Sequence, residues 1–354
     1  MIGPNKLIAL CTSRVFDPQI HSYIEMLNEE LKTHGCRLWI FALNADLYWD
    51  DEADNSETSV FDWIPWDKTD AVIIMDEKIK SHAVAQKLID RAHKYSVPAI
   101  VVDGNYEGTT GISFDYAKGF EALVRHVIED HKARRPHFMA GLEGNKFSDE
   151  RMEVFKKVIE ENGIEFSMDM VSYGNFWSRP AREAAEKLIA EGNIPDAMIC
   201  ANDIMAINVC DVFKTAGYRI PEDIIITGFD GYNEAFLSSP AITTASCMTP
   251  EFAPVTVQAI LQCLEGKKPN DFSVLPRIIR NVSCGCPHCE DSSISAMKSF
   301  NTGFYRYQDD IRLQHSIGAK MQTSGSEEEL VENMLEYYMP NVRCIVNKDC
   351  FRVS

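Results

Sequence analysis

The sequence lacks any run of the ~18–20 apolar residues that a membrane-spanning helix requires. Its opening, Met1-Ile-Gly-Pro-Asn-Lys6, leads straight into an apolar run, Leu7 to Cys11, that is too short for the core of a secretory signal. Both absences predict a cytoplasmic chain with no membrane partner and with reduced thiols. Cationic residues are scarce: 35 Lys and Arg stand against 53 Asp and Glu, a formal net charge of −18. Such a surface repels phosphate backbones, so direct nucleic-acid binding by this chain is not expected. Gly-x-Ser-x-Gly, His-Glu-x-x-His and a Walker loop are missing, and the 9 His show no paired spacing. The expectation is therefore a non-enzyme without a cofactor.

What is present is ordinary globular material. The chain has 354 residues, 45% hydrophobic and 25% charged, which at roughly 100–200 residues per domain allows two or three domains. The 11 Cys are an odd number, so full pairing within one chain is impossible. Short apolar runs at Leu7–Cys11, Arg37–Leu43, Ala71–Met75, Ala99–Val102, His137–Ala140, Ala197–Ala201 and Ile224–Phe229 read as strands buried on both faces. Between them lie stripes at helical spacing: Ile20, Ile24, Leu27 and Leu31; Phe120, Leu123, Val124, Val127 and Ile128; Met152, Phe155, Val158 and Ile159. Ser148 to Arg151 reads as the start of the third helix and Asn162-Gly163 as its end, while Gly217 closes another helix before Pro221. Strand–helix alternation at this spacing predicts parallel, doubly wound sheets, and the number of units predicts two α/β lobes.

The pattern changes after about Cys289. Residues 290–325 carry a sparse stripe of Phe300, Phe304, Tyr307 and Ile311, as in an exposed or pairing helix. A cap at Ser324-Gly-Ser, a stripe of Leu330, Met334, Leu335 and Tyr338, and strand-like pieces at Val342–Val346 and Cys350–Val353 follow. Because Ser354 falls inside the last piece, we expect a natural chain that continues, or a segment that pairs with another chain.

One block is specific: Ile194-Pro-Asp-Ala-Met-Ile-Cys-Ala-Asn-Asp203, Pro221-Glu-Asp-Ile-Ile-Ile-Thr-Gly-Phe-Asp230 and Ser239-Pro-Ala-Ile-Thr-Thr-Ala245. It resembles the effector-binding core of the LacI-type, periplasmic-binding-protein-like regulators. Val97 to Asp103, Ser113-Phe-Asp115 with Gly119 and His126, and Ser148 to Arg151 with Phe155 resemble further pieces of that family, in order. The resemblance covers residues 5–284. It implies the type I periplasmic-binding-protein-like fold of two Rossmann-like lobes. Lobe one is expected at about 5–141 plus 246–270, and lobe two at about 142–245 plus 271–284. Residues 285–325 would be a linker and signalling helix, and 326–354 the start of a further, GAF-like α/β domain.

Two departures from the family are expected to matter. Only six residues precede Leu7, so its N-terminal helix-turn-helix has no place here. The ending Asn281-Val-Ser-Cys-Gly-Cys286 resembles members whose sensor precedes a diguanylate cyclase (Gly-Gly-Asp-Glu-Phe) or an AraC-type module, though neither motif occurs in the sequence. The main expectation is thus a sensor that binds a sugar or similar polar metabolite between its lobes, acts as a homodimer and signals to a C-terminal output. The alternative is a LacI-family transcriptional regulator whose DNA-binding module is absent from this chain.

The candidate ligand contacts are Phe16, Arg151, Trp177, Asn202, Asp203 and Asp230. Asp203 can accept from vicinal hydroxyls and Asn202 can donate and accept, although an Asp there also suits a helix cap. Asp230 ends a strand beside Gly231, where a turn residue is equally suited. Arg151 offers a planar fork at a helix start, an unfavourable place for a cation without a partner. Phe16 and Trp177 offer faces for a sugar or base, or alternatively pack at a hinge; the resemblance places a ligand-contacting aromatic at Phe16. Trp49, Trp63 and Trp66 read as cover for the edge of the first lobe. No metal is expected. Cys284, Cys286, His288 and Cys289 have the right ligand types for zinc, but four ligands within six residues would strain a tetrahedron, and Cys344 and Cys350 help only if the tail folds back. A redox-labile thiol pair or plain linker cysteines remain alternatives, and His126 on an apolar helix face reads as a core histidine.

Overall fold

The computed structural model describes residues 5–44, 47, 48, 50, 56–267, 269–326 and 329. The chain divides into two compact units, residues up to Ala296 and from Met297 onward. The first unit contains two parallel sheets. Its first sheet has six strands: β1 (Lys6–Ser13), β2 (Cys36–Leu43), β3 (Ala71–Met75), β4 (Ala99–Val102), β5 (Thr110–Phe114) and β11 (Phe272–Val274), in the order β11-β5-β4-β3-β1-β2. Residue alternation along β1 explains why the run is apolar throughout. Ile8 and Leu10 face one core, with Ile20, Tyr23 and Leu27 of helix α1 (Pro18–Thr33) and Phe252 and Ile260 of α9 (Phe252–Leu264). Ala9 and Cys11 face the other, with Leu88 and Ile89 of α3 (His82–Lys94). Trp66 is buried in that second core, whereas Trp63 is exposed. Trp49 lies outside the described residues.

The second sheet has the order β7-β6-β8-β9, built from β6 (Pro136–Ala140), β7 (Val171–Tyr173), β8 (Ala197–Cys200) and β9 (Ile225–Thr227). Its core gathers Phe120 of α4 (Tyr116–Arg125), Phe138, Phe155 of α5 (Lys146–Glu161), Met198, Val209 of α7 (Asp203–Thr215) and Ile226. The helix α6 (Ser178–Ala190) lies beside α7 in the same lobe. A short antiparallel pair, β10 (Thr244–Ser246) with β12 (Arg277–Ile279), adjoins it.

The expected lobe boundaries therefore shift. Residues 116–141 belong to lobe two, because α4 buries Phe120, Leu123 and Val124 in the second core and β6 bonds to β7 and β8. Conversely, β11 pairs with β5 and extends lobe one beyond residue 270. The chain crosses between lobes three times: at Asp115, between β10 and α9, and between β11 and β12.

Helix starts follow their caps. Asp17 accepts from the amides of Gln19 and Ile20 ahead of α1, and Asp115 accepts from Lys118 N ahead of α4. The helix expected from Ser148 begins at Lys146, because Asn145 accepts from the amides of Phe147 and Ser148 and takes the cap position. Asn162 and the left-handed Gly163 end it, as the sequence indicates. The last helix, α10, runs over Glu290–Thr323. In the second unit its Phe300 and Phe304 rings stack at 6.3 Å and stay largely exposed. At the expected cap, Ser326 Oγ accepts from Glu329 N at 3.1 Å. Apart from residues 326 and 329, the expected GAF-like start at 326–354 lies outside the described residues. Among the described residues no helix is long and apolar enough to cross a membrane.

Candidate functional site

The carboxyl ends of both sheets face one cavity of about 370 Å3, the place where parallel α/β sheets gather loops and free backbone groups. Lobe one contributes Met75, the short helix α2 (Asp76–Ile79) with Glu77 and Lys78, then Lys80, Asp103 and Phe114. Lobe two contributes Tyr116, Phe147, Arg151, Phe176, Asn202, Asp230 and Tyr232, and the crossing after β10 adds Cys247 and Met248. Gln19 of α1 lies at the junction. Its Nε2 donates to the carbonyls of Asp230 (3.0 Å) and Gly231 (3.1 Å), joining lobe one to lobe two.

Arg151 is the most constrained side chain of the wall. It is 5% exposed, its guanidinium sits 4.4 Å from the centre of the Phe229 ring, and Nη1 donates to Ala201 O at 2.6 Å. Its Nη2 approaches Asp230 Oδ1 only to 3.9 Å, and Nε has no partner. A buried guanidinium with unspent donors beside a carboxylate is suited to a ligand oxygen. The aromatic wall comes from Tyr116, Phe147 and Phe176, with Tyr116 edge-on to Phe147 at 5.7 Å. Phe176 reaches it through a left-handed backbone at Asn175 (φ 53°) and Phe176 (φ 63°). A side chain at Gly141 would put its Cβ 2.1 Å from the Phe176 ring, so glycine there gives the ring its place.

Three carboxyls in the wall hold their protons unusually strongly. Burial, with the nearby charges of Asp103 and Asp76, pushes Glu77 up to about 7. Burial raises Asp103 to about 6, against hydrogen bonds from Tyr116 Oη (2.5 Å) and Phe114 N. Burial likewise raises Asp230 to about 6, against the Arg151 charge. In the unfolded chain such groups ionise near pH 4. The folded chain therefore binds more protons between about pH 4 and pH 7, and the stability these groups contribute is present at low pH and lost as pH rises through about 6 to 7. The urea midpoint of the unliganded protein is expected to fall less steeply from pH 5 to pH 8 in Glu77→Gln than in the wild type. Parallel profiles would show that Glu77 ionises normally.

Known proteins share this fold. Residues 124–284 match the family described as a periplasmic binding protein-like domain. The HTH-type transcriptional repressor PurR of Photobacterium profundum is 28% identical over 203 residues, 56% of this chain and 59% of its own length. A LacI transcriptional regulator from a Rhodococcus species superposes with a TM-score of 0.62 at 20% identity, over 79% of this chain and 98% of that one. A LacI family transcriptional regulator from Arthrobacter sp. FB24, in complex with lactose, does so with a TM-score of 0.60 at 20% identity, over 79% and 99%. This chain has the periplasmic-binding-protein-like fold of those structures. It spans less than two thirds of the length of the curated relatives it matches first.

Within this two-lobed domain the six residues singled out in the sequence separate into two groups. Arg151, Asn202 and Asp230 come together in the cavity wall. Asn202 is also the cap of α7: its Oδ1 accepts from Met205 N (2.9 Å), and its Nδ2 donates to Phe176 O (3.1 Å). Asp230 holds a left-handed backbone, φ 116°. The other three do not line the cavity. Asp203 is wholly buried behind it. Its Oδ2 accepts from Tyr232 N at 2.8 Å and its amide donates to Phe229 O at 2.8 Å, so it pins the 229–232 turn. Burial, reinforced by the Asp230 charge, holds its carboxyl well above the usual range. Trp177 and Phe16 are 67% and 60% exposed, and Phe176 takes the place expected of Trp177. The sequence does not single out Glu77, Lys78, Asp103, Tyr116 or Phe147; the charged cluster directly after the buried β3 run is the available signal. Cys284 and Cys286 do gather with histidines, but with His126 and His131 rather than with His288 and Cys289.

Proposed function

We propose that this chain is the effector-binding part of a LacI-type transcriptional regulator and that a sugar-sized polar metabolite binds between its lobes. The observation that carries the reading is Arg151: buried, stacked on Phe229 and with donors to spare, in a cavity that also holds three carboxyls and five aromatic side chains. Carboxylates accept hydrogen bonds from hydroxyls, the guanidinium donates to a ring or carboxyl oxygen, and Phe176 and Phe147 cover the apolar faces of a ring. A cavity of about 370 Å3 lies at the small end of ligand sites, which favours one or two rings. The relatives named as HTH-type repressors and the lactose-bound structural neighbour support the same reading.

Binding would tighten the Gln19 contact across the lobes, and that closure would pass, in a homodimer, to a DNA-binding module. A second reading, a sensor feeding a C-terminal signalling module, draws on α10, which follows the domain as one continuous helix. A thermal-shift screen of monosaccharides, disaccharides, nucleosides and purine bases tests the proposal, because a ligand that binds only the folded state raises Tm by mass action. A hit confirmed by calorimetry and lost in Arg151→Ala supports it. A hit that Arg151→Ala binds equally well places the site elsewhere.

A further inference from the structure

Beside the π turn His126–Asp130 at the end of α4, four metal-ligating side chains converge. In an α-helix, residues five apart point some 140° away from each other, given 3.6 residues per turn. Here His131 N donates to His126 O, a bond across five residues, and the wider turn brings both imidazoles to one side. The two thiols arrive from the strap after β12. Cys284 and Cys286 flank Gly285, whose left-handed backbone (φ 91°) reverses the chain between them. The strap is anchored independently of the thiols. Asn281 and Ser283 are fully buried, Ser283 Oγ accepts from Thr243 N (2.8 Å), and Asn281 Oδ1 accepts from Cys289 N (2.9 Å).

Four of the six spacings match the edges of a tetrahedron, and the other two fall within 4.8 Å. Zinc bonds of about 2.0–2.1 Å to nitrogen and about 2.3 Å to sulfur set edges of about 3.3 Å between nitrogens and about 3.5 Å between nitrogen and sulfur. His126 Nε2 and His131 Nε2 are 3.1 Å apart. Cys284 Sγ lies 3.6 Å from His126 Nε2, and Cys286 Sγ lies 3.5 Å and 3.4 Å from the two Nε2 atoms. All four ligand atoms fall within 4.8 Å of one another. Hydrogen bonds alone satisfy this arrangement poorly. His126 Nδ1 lies 2.7 Å from Asp130 Oδ2, so in the neutral ring Nε2 offers one lone pair, on which His131 and both thiols converge. A shared cation resolves the crowding, and the Asp130 contact is the carboxylate support that zinc-bound histidines carry.

We propose that His126, His131, Cys284 and Cys286 form a structural zinc site that fastens the strap ahead of α10 to the π turn of α4. The two thiols lose their protons to solvent on binding, and two thiolates, two neutral imidazoles and Zn2+ make a four-coordinate centre of zero net charge with no open position. Among the described residues no other group of three or more His, Cys, Asp or Glu comes together in this way.

The test uses the full chain, reduced and stripped with chelator, then titrated with Zn2+ or Co2+. The expected result is one zinc per chain by mass spectrometry and, with Co2+, tetrahedral d–d bands with a thiolate charge-transfer band. Cys286→Ser and His131→Ala should each weaken binding at least about 100-fold, while Cys289→Ser and His288→Ala keep full stoichiometry. Asp130→Ala, which removes no ligand, should weaken binding about 10–100-fold and so tests the site even if a ligand variant misfolds. A reduced wild-type chain that gives no thiolate–cobalt band overturns the proposal. So do bands left undiminished in Cys286→Ser, in His131→Ala and in Asp130→Ala.

Discussion

Arg151→Ala is expected to abolish effector binding and, separately, to lower the stability of the unliganded protein by about 2–4 kcal/mol. Both effects come from one buried guanidinium. Removing it deletes the stack on Phe229 and the bond to Ala201 O, and leaves the Asp230 carboxyl without the cation that holds its proton affinity down. Loss of one partner of a buried pair is costly because the other is stranded; the 3.9 Å separation and the partial exposure of Asp230 keep the figure below the 3–5 kcal/mol of a tight buried pair. The Asp230 carboxyl should then rise further, so the variant's deficit should shrink below about pH 6. Arg151→Lys separates the two roles. It restores charge near Asp230 but neither the planar stack nor the fork, so stability should recover in part while affinity stays at least about 10-fold down. Urea unfolding at pH 5.5 and 7.5, with calorimetry against the ligand found by thermal shift, measures both. A variant as stable as the wild type at both pH values would mean that Asp230 is already solvated.

Gly228→Ala should destabilise the protein by about 3–5 kcal/mol from a position that does not itself line the cavity. The added Cβ would lie 2.2 Å from Asp203 Oδ1 and 3.0 Å from Asp203 Cα. The backbone atom cannot move without displacing the start of α7. The carboxylate cannot swing away without surrendering its bond from Tyr232 N in a fully buried place. Overpacking costs about 1–3 kcal/mol, and a stranded buried acceptor adds about 1–3 kcal/mol. Gly144→Ala is the control. Gly144 has φ 75° with nothing within 4 Å of the added Cβ, so only backbone strain of about 1 kcal/mol applies. Equal denaturation midpoints for the two variants would show that Asp203 yields easily.

Strands buried on both faces are legible from their apolar runs, as β1, β3, β4, β6, β8 and β9 are. The run at β2 is found as a strand, but it lies at the sheet edge with Arg37, Trp39 and Ile40 exposed, so the expectation that it is buried on both faces fails there. The strands β5, β7, β10, β11 and β12 span only 3–5 residues each and carry polar residues, so no run marks them. Lobe membership is less legible than strand existence. Nothing in the composition of residues 116–141 records that α4 packs on the second sheet rather than the first. At the site, Asp230 is readable as an acid after a strand end. Arg151 reads as a cation at a helix start, although the helix begins at Lys146 and Arg151 sits in its second turn, where it is held by burial and by Phe229 rather than by the helix end. Phe176 is not readable, because its place depends on two left-handed residues and on the missing side chain of Gly141. His126 and His131 give no paired signal in the sequence for a similar reason, since five-residue spacing brings side chains together only across a π turn.

The three crossings between lobes carry a consequence for cooperativity. The first sheet is assembled from segments that are not contiguous in the chain, since β11 returns to lobe one after all of lobe two's main sheet has been laid down, and lobe two regains β12, the partner of β10, only after β11. Neither lobe can therefore be cut free by a single proteolytic nick, nor be exchanged as one cassette with a related protein. Melting one lobe frees the chain ends that enter the other, so the two sheets are expected to unfold in one transition despite having separate cores.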